Sequence, residues 1–200
     1  MTDRLSLYNG ALRLCKERRL ASLTENREPR RLLDDAWGDG VDSGSVKRCL
    51  QFGQWTFAMR TGRIDYTPDI EPEFGYRYAF TQPEDMVRPS SICVDEFFSA
   101  PLLEYHDERQ MWYAPIPTIY VRWVSNGSTY GTDMSLWPES FIKLVEADLA
   151  SEIVANLTED KDTVMMVARA FKAAKAEARS LDAMNKPTVL LGEGNWNKAR

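Results

Sequence analysis

The sequence predicts an α+β fold: a helical bundle of about four helices, two at each end of the chain, with an inserted small antiparallel β-sheet region. Three observations lead to this prediction. Apolar residues recur at helical spacing near both ends, they alternate with polar residues in the middle, and prolines repeatedly interrupt that middle part. We therefore divide the chain into a bundle at 1–54 and 137–186, a β-rich insertion at 55–136, and an extended C-terminal arm at 187–200.

The clearest helical pattern lies in the last third of the chain. From Phe141 an apolar residue returns at every fourth position as far as Leu157, and other apolar residues widen this face until little polar surface is left. A helix of this kind is usually buried between other elements or at a subunit contact. We expect Thr158 to cap a second helix that ends near Asn185, with an apolar row made of Val164, Ala168, Phe171, Ala174, Ala178 and Leu181.

The N-terminal part predicts the other two helices. The first carries an apolar stripe made of Leu5, Tyr8, Leu12 and Cys15. The second is expected from about Arg30 to about Gln51. It should bend near Gly38, Gly40 and Gly44, because a glycine costs about 1 kcal/mol in a helix interior.

From Trp55 onward the spacing changes from helical to alternating. Trp55, Phe57 and Met59 should point to one side of a first strand. Further strands are predicted at Tyr76–Thr81, Ser91–Asp95, Leu102–His106, Met111–Ala114 and Thr118–Val124. The insertion also holds more aromatic side chains than a small sheet can bury. We expect some of them in the core and some at a contact with another chain, where aromatic residues are favoured.

The charge balance and the cysteines narrow the possible functions. The 200 residues include 30 acidic and 25 basic ones, and this net charge of −5 argues against a dedicated nucleic-acid binder. No apolar run approaches the roughly 20 residues of a membrane span, and the first residues do not resemble a signal peptide. Cys15, Cys49 and Cys93 are widely spaced, which indicates reduced thiols in a cytoplasmic product.

The sequence contains no recognisable catalytic, metal or cofactor motif. Its single histidine, His106, is expected on a surface strand or turn. One histidine and three scattered thiols do not supply the ligands that zinc requires. We therefore predict no catalytic residue, no metal and no cofactor. The alternative is an enzyme that uses a pair of carboxylates near His106, such as Glu104 with Asp107 or Glu108.

Two groups of residues are candidates for binding a partner. Four basic residues share one side of the predicted last helix, either as a solvated face or as a contact for an acidic partner: Arg169, Lys172, Lys175 and Arg179. The arm beyond Pro187 holds apolar side chains that are costly to leave in water. They should dock on their own subunit or on a partner, and they are Val189, Leu190, Leu191 and Trp196.

Five segments, taken in order, carry a resemblance to a known family. They read Leu20-Ala-Ser-Leu, Arg30-Arg-Leu-Leu-Asp-Asp-Ala-Trp, Cys49-Leu-Gln-Phe-Gly-Gln-Trp-Thr-Phe-Ala, Tyr76-Arg-Tyr-Ala-Phe-Thr-Gln-Pro-Glu-Asp-Met-Val-Arg and Phe141-Ile-Lys-Leu-Val-Glu-Ala-Asp-Leu-Ala-Ser-Glu-Ile. Together they resemble the tail tubular protein A, or head-to-tail adaptor, family of short-tailed bacteriophages over nearly the whole chain.

This resemblance implies a virion protein without catalysis, made in the host cytoplasm and located in the phage tail or neck. It implies a homo-oligomeric ring of about twelve copies, in which one face meets a different face of the next copy. The ring would lie beneath the portal protein, receive the tail nozzle or tail fibres, and extend the channel through which double-stranded DNA passes. The alternatives are a head-completion or connector protein of a long-tailed phage, and a single-strand nucleic-acid-binding module that uses the aromatic sheet.

Overall fold

A computed structural model describes residues 3–73 and 75–185, which contain five α-helices and six β-strands. The helices are α1 (Arg4–Leu14), α2 (Glu28–Trp37), α3 (Gly44–Gln51), α4 (Glu139–Leu157) and α5 (Lys161–Met184). The strands are β1 (Met59–Asp65), β2 (Tyr78–Thr81), β3 (Met86–Cys93), β4 (His106–Glu108), β5 (Met111–Ala114) and β6 (Thr118–Ser125). The predicted α+β class is therefore confirmed. The arm predicted at 187–200 lies outside the described residues.

The helix α4 forms the centre of the helical part. Phe141, Leu149 and Ile153 on the predicted face are buried, and so are Leu144 and Ala150 on other sides of the helix. The helices α1, α2, α3 and α5 all contact it. Full burial of one large apolar side chain contributes about 1.5–3 kcal/mol. A helix with so little polar surface is therefore stable where other helices surround it.

The single helix predicted between Arg30 and Gln51 is wrong, because the chain turns there and forms α2 and α3 instead. Three glycines in the turn adopt φ values of 64°, 78° and 81°, a region that favours glycine, and they are Gly38, Gly40 and Gly44. The Asp39 carboxylate accepts hydrogen bonds of 2.8–2.9 Å from the backbone N–H groups of residues 41–43. Instead of bending one helix, the glycines and Asp39 end one helix and begin another.

The insertion forms two three-stranded antiparallel sheets, with strand orders β1-β6-β3 and β2-β5-β4. The prediction for β5 is confirmed at both ends, and β6 is one residue longer than predicted. The strand expected at Ser91–Asp95 begins earlier, at Met86. Its register shifts around Pro89, and such an irregularity accommodates a residue that cannot donate a backbone hydrogen bond.

Two predicted strands are wrong in position. The strand expected from Trp55 begins only at Met59, because Thr56–Ala58 forms a 3-10 turn. In this turn the backbone N–H of Thr56 donates a hydrogen bond to the Asp182 carboxylate. The strand expected at Leu102–His106 is replaced by β4. The backbone N–H of Leu102 bonds instead to the carbonyl of Ile92, which lies at the end of β3.

The hydrophobic core has two parts. The larger part lies among the helices and extends into the insertion through Trp55, Ala58 and Val124. The smaller part draws on both sheets and buries Phe80, Ile92, Leu102, Trp112, Ala114, Ile119, Val121 and Trp123. Four aromatic side chains of the insertion, Trp55, Phe80, Trp112 and Trp123, are thus core residues.

The start of α5 differs from the prediction, and its buried side agrees with the predicted row only in part. Thr158 ends α4, since its N–H bonds to the carbonyl of Val154, and Asp160 caps α5 with its carboxylate. In the predicted apolar row, Ala178 is buried, and Val164 and Phe171 pack against the core. Ala168 and Leu181 of that row are exposed, whereas Val167, outside it, is buried. The prediction therefore holds for most of the row and fails at two positions.

Candidate partner-binding surfaces

The four basic residues predicted on the last helix do lie on α5, but they are not equivalent. Arg169, Lys172 and Arg179 are exposed, whereas Lys175 is half-buried. The Lys175 ammonium lies 3.6 Å from the centroid of the Phe52 ring, a cation–π contact. None of the four forms an ion pair with any residue of 3–73 or 75–185. The three exposed cations can therefore meet an acidic partner without breaking an internal ion pair.

Arg179 borders a cavity of about 300 Å³ that it shares with a second guanidinium group, that of Arg88 on β3. Arg88 is oriented by a 3.3 Å hydrogen bond that its Nη1 donates to the carbonyl of Gln51. The remaining lining residues are Gly53, Gln54, Trp55, Asp182 and Ala183. No spacing in the sequence could have brought Arg88 to Arg179, because the two residues lie on a strand and a helix that are far apart in the chain.

The C-terminal end of α5 is fixed to the insertion by Asp182. This buried carboxylate accepts hydrogen bonds from the backbone N–H of Thr56 at 2.8 Å and from its hydroxyl at 2.7 Å. Phe52 and Phe171 add an edge-to-face aromatic contact with ring centroids 5.9 Å apart. The last helix is therefore held in place at several points along its length, and its basic side has a fixed position.

The apolar residues of the arm, Val189, Leu190, Leu191 and Trp196, lie outside the described residues. Their predicted role in partner binding stays a prediction.

A second candidate surface is the turn at residues 94–104, which follows β3. The chain reverses there through hydrogen bonds from the N–H of Val94 to the carbonyl of Ala100 at 3.0 Å and from Leu102 to Ile92 at 2.9 Å. Phe97 and Leu103 remain 81% and 85% exposed. No pattern in the sequence marked this surface. Phe97 is one of many aromatic residues in the insertion, and Leu103 falls within the strand predicted at Leu102–His106.

The 94–104 turn is stiffened from within. The Asp95 carboxylate accepts hydrogen bonds from the hydroxyl and the N–H of Ser99, at 2.6 and 3.1 Å, and from the N–H of Ala100 at 2.8 Å. These hydrogen bonds, that of the Ser99 hydroxyl foremost, lower the pKa of Asp95 to about 2. Phe98 adopts a φ of 56°, and its ring lies 4.5 Å from the Arg122 guanidinium carbon. The Phe98 ring is thus held by its contact with Arg122, while its neighbour Phe97 faces solvent.

An acidic residue is the chain neighbour of each of the two most exposed apolar residues of the turn. Glu96 precedes Phe97, Glu104 follows Leu103, and both glutamates are exposed. Neither forms an ion pair with another described residue. The 94–104 turn therefore exposes apolar and acidic side chains, whereas α5 exposes the cations Arg169, Lys172 and Arg179.

The carboxylates next to His106 do not gather around it. His106 is exposed on β4, and with Glu108 it borders a cavity of about 490 Å³ whose described lining includes neither Glu104 nor Asp107. The Asp107 carboxylate accepts hydrogen bonds from the amide of Gln82 at 2.7 Å and from the indole N–H of Trp112 at 3.1 Å. The Asp107 carboxylate thus links β4 to Gln82 and to Trp112 on β5.

Across residues 3–73 and 75–185, no three or more His, Cys, Asp or Glu side chains are grouped so as to hold a metal ion. All three cysteines are buried free thiols, and burial raises the pKa of Cys15 to about 11. Among the described helices, none combines the length and the apolar character needed to cross a lipid bilayer.

Comparison of the chain with models of known protein families finds no match, and comparison with curated proteins finds none either. The resemblance to head-to-tail adaptors, carried by the five sequence segments, therefore stays a prediction.

Proposed function

We propose that this protein is a structural virion component, a head-to-tail adaptor that forms a ring between the portal and the tail nozzle of a short-tailed bacteriophage. The observation that supports this most is the 94–104 turn. It is stiffened by internal hydrogen bonds, yet it leaves Phe97 and Leu103 almost fully exposed. Exposed apolar surface on an otherwise well-packed protein is typical of interaction sites. In a ring beneath a portal, neighbouring subunits would cover such exposed apolar side chains.

The proposed adaptor uses separate surfaces for separate neighbours. Its helices form the bundle that supports the ring, and its exposed cations Arg169, Lys172 and Arg179 face acidic protein surface. Its C-terminal arm extends to the portal or to an adjacent subunit and anchors there through Val189, Leu190, Leu191 and Trp196. Such an arm adds affinity through apolar side chains that are otherwise left in water.

The ring continues the DNA channel without sequence-specific binding. Each subunit contributes a net charge of −5, and repetition around the channel gives a wall that repels phosphate, so that double-stranded DNA slides through. A ring whose lumen is lined mainly by lysine and arginine would contradict this part of the proposal.

Co-sedimentation with the portal protein of the same virus tests the proposed function. The full chain should pellet with portal rings, and a chain that ends at Lys186 should lose this binding. A chain that ends at Trp196 is the matched control, because it is shortened but keeps all four apolar anchors. If the full chain does not bind the portal, the adaptor function is wrong. If the chain ending at Lys186 binds as well as the full chain, the role of the arm is wrong.

A further inference from the structure

Charge is unevenly distributed between the insertion and the last helix. The insertion, from Trp55 to Leu136, holds twelve acidic and six basic residues. Helix α5 reverses this balance, with five basic and three acidic residues. A protein with such oppositely charged parts can attract further copies of itself, provided that the two parts meet between copies.

The two parts also match in their exposed apolar groups. In the N-terminal half of α5, Met165 and Met166 are 49% and 41% exposed. Arg169 and Lys172 lie one and two helical turns further on, where spacings of three and four residues place side chains on a shared face. Asp162 lies on the same face one turn before the methionines, so the face carries two cations and one carboxylate and is basic on balance. It is the counterpart of the acidic apolar 94–104 turn.

We propose that the 94–104 turn of one copy docks on the outer face of α5 in the next copy, formed by Met165, Met166, Arg169 and Lys172. Phe97 and Leu103 pack on the two methionines, and Glu96 and Glu104 lie opposite the two cations. This contact rests on the ring proposed above and specifies which surfaces meet. Because the two surfaces differ, every copy offers one of each, and the contact can repeat until a ring closes.

A second copy fits these surfaces better than other occupants do. A nucleic acid would be attracted to the basic face of α5 but repelled by the acidic turn, which would leave Phe97 and Leu103 uncovered. A symmetric contact of turn against turn would bring glutamates of equal charge together. The pairing of the turn with α5 covers both surfaces at once. The stiffness of the turn also reduces the conformational entropy that docking would otherwise lose.

Complementary charge reversal tests this contact. One variant carries Glu96→Arg and Glu104→Arg, and a second carries Arg169→Glu and Lys172→Glu. We expect each variant alone to self-associate with a dissociation constant raised on the order of 100-fold, as measured by sedimentation velocity. An equimolar mixture of the two should recover wild-type assembly, because each reversed turn then meets a reversed helix and each unchanged turn an unchanged helix.

The control variant carries Arg18→Glu and Arg19→Glu, which change the net charge by the same amount as the α5 variant at two other exposed sites. It should assemble like the wild type. Assembly of the wild type together with failure of the mixture to recover would overturn this contact and leave the ring standing. An equal loss in the control would also overturn it. A wild-type chain that stays monomeric at every concentration and salt would refute both the ring and the contact.

Discussion

At the scale of single residues, two aspartates perform similar tasks at different places in the fold. The Asp182 carboxylate accepts hydrogen bonds from the backbone N–H and the hydroxyl of Thr56, and the Asp95 carboxylate accepts them from the same two groups of Ser99. In each case a carboxylate fixes a segment that has no strand neighbour at that point. Both arrangements bear on the proposed function, because one positions the basic helix α5 and the other stiffens the 94–104 turn.

We expect Asp182→Ala to lower the free energy of unfolding by about 2 kcal/mol, since hydrogen bonds to a charged group are lost at a buried position. Urea denaturation measures the change. Glu177→Ala on the same helix is the matched control, because Glu177 is exposed and makes no hydrogen bond or ion pair among the described residues. It should change stability by less than about 0.5 kcal/mol. Equal effects of the two substitutions would contradict the anchoring role.

The low pKa of Asp95 makes the 94–104 turn sensitive to acid. Because this pKa is lowered in the folded state, the stabilisation by the ionised carboxylate is fully present above the ordinary value of 3.8 and is lost as the pH falls through about 2. An NMR titration of the Asp95 side chain should give a midpoint near 2, and Ser99→Ala should raise it. A midpoint at the ordinary value would show that the hydrogen bonds of this turn do not form in solution.

At the scale of elements, predictions succeeded where the pattern was long and failed where a distant residue intervened. The apolar repeat of α4 covers the whole helix, so its burial could be predicted. The alternation from Trp55 to Met59 looked like a strand, but Asp182 binds the Thr56 N–H from 126 residues away in the chain. A sequence pattern reports the preference of a segment, and only the folded chain reveals which partner takes its backbone groups.

The turn between α2 and α3 illustrates a second limit. The glycines at this point indicate a weak spot in a helix, yet in the fold they adopt positive φ values beside a hydrogen-bonded Asp39 carboxylate and form a turn. A Cβ added to Gly44 would lie 1.9 Å from the carbonyl oxygen of Trp37. Sequence could locate this break in the helix but not its geometry.

Gly44→Ala should therefore destabilise the protein strongly, on the order of 4 kcal/mol, because backbone strain and a clash with backbone combine. Gly75→Ala is the matched control, since Gly75 also has a positive φ, of 90°, but an added Cβ meets no atom of the described residues within 4 Å. It should cost only about 1–2 kcal/mol. Thermal unfolding of both variants measures the difference, and equal losses would show that the described turn is wrong.

The central position of α4 leads to a further prediction. Leu149→Ala should lower the free energy of unfolding by about 2–5 kcal/mol, because it leaves a cavity at a fully buried site. Lys143→Ala on the same helix, where the side chain is exposed, should have little effect. A small loss for Leu149→Ala in denaturant unfolding would mean that α4 does not lie at the centre of the core.

At the scale of the whole molecule, a core built around α4 supports two surfaces of opposite charge. The sequence identified one of them, since the basic residues of α5 could be read from their helical spacing. It did not identify the acidic turn, because the exposure of Phe97 and Leu103 depends on how the chain folds back after β3. The proximity of Arg88 to Arg179 could not be predicted from the sequence either, because it depends on how β3 and α5 border one cavity. Surfaces that combine residues from distant elements become visible only in the fold.

Electron microscopy of the protein mixed with portal rings of the same virus tests the central claim most directly. The account predicts closed rings of about twelve copies, stacked coaxially on the portal and continuing its channel. Portal rings that remain bare beside single copies of this protein would contradict it.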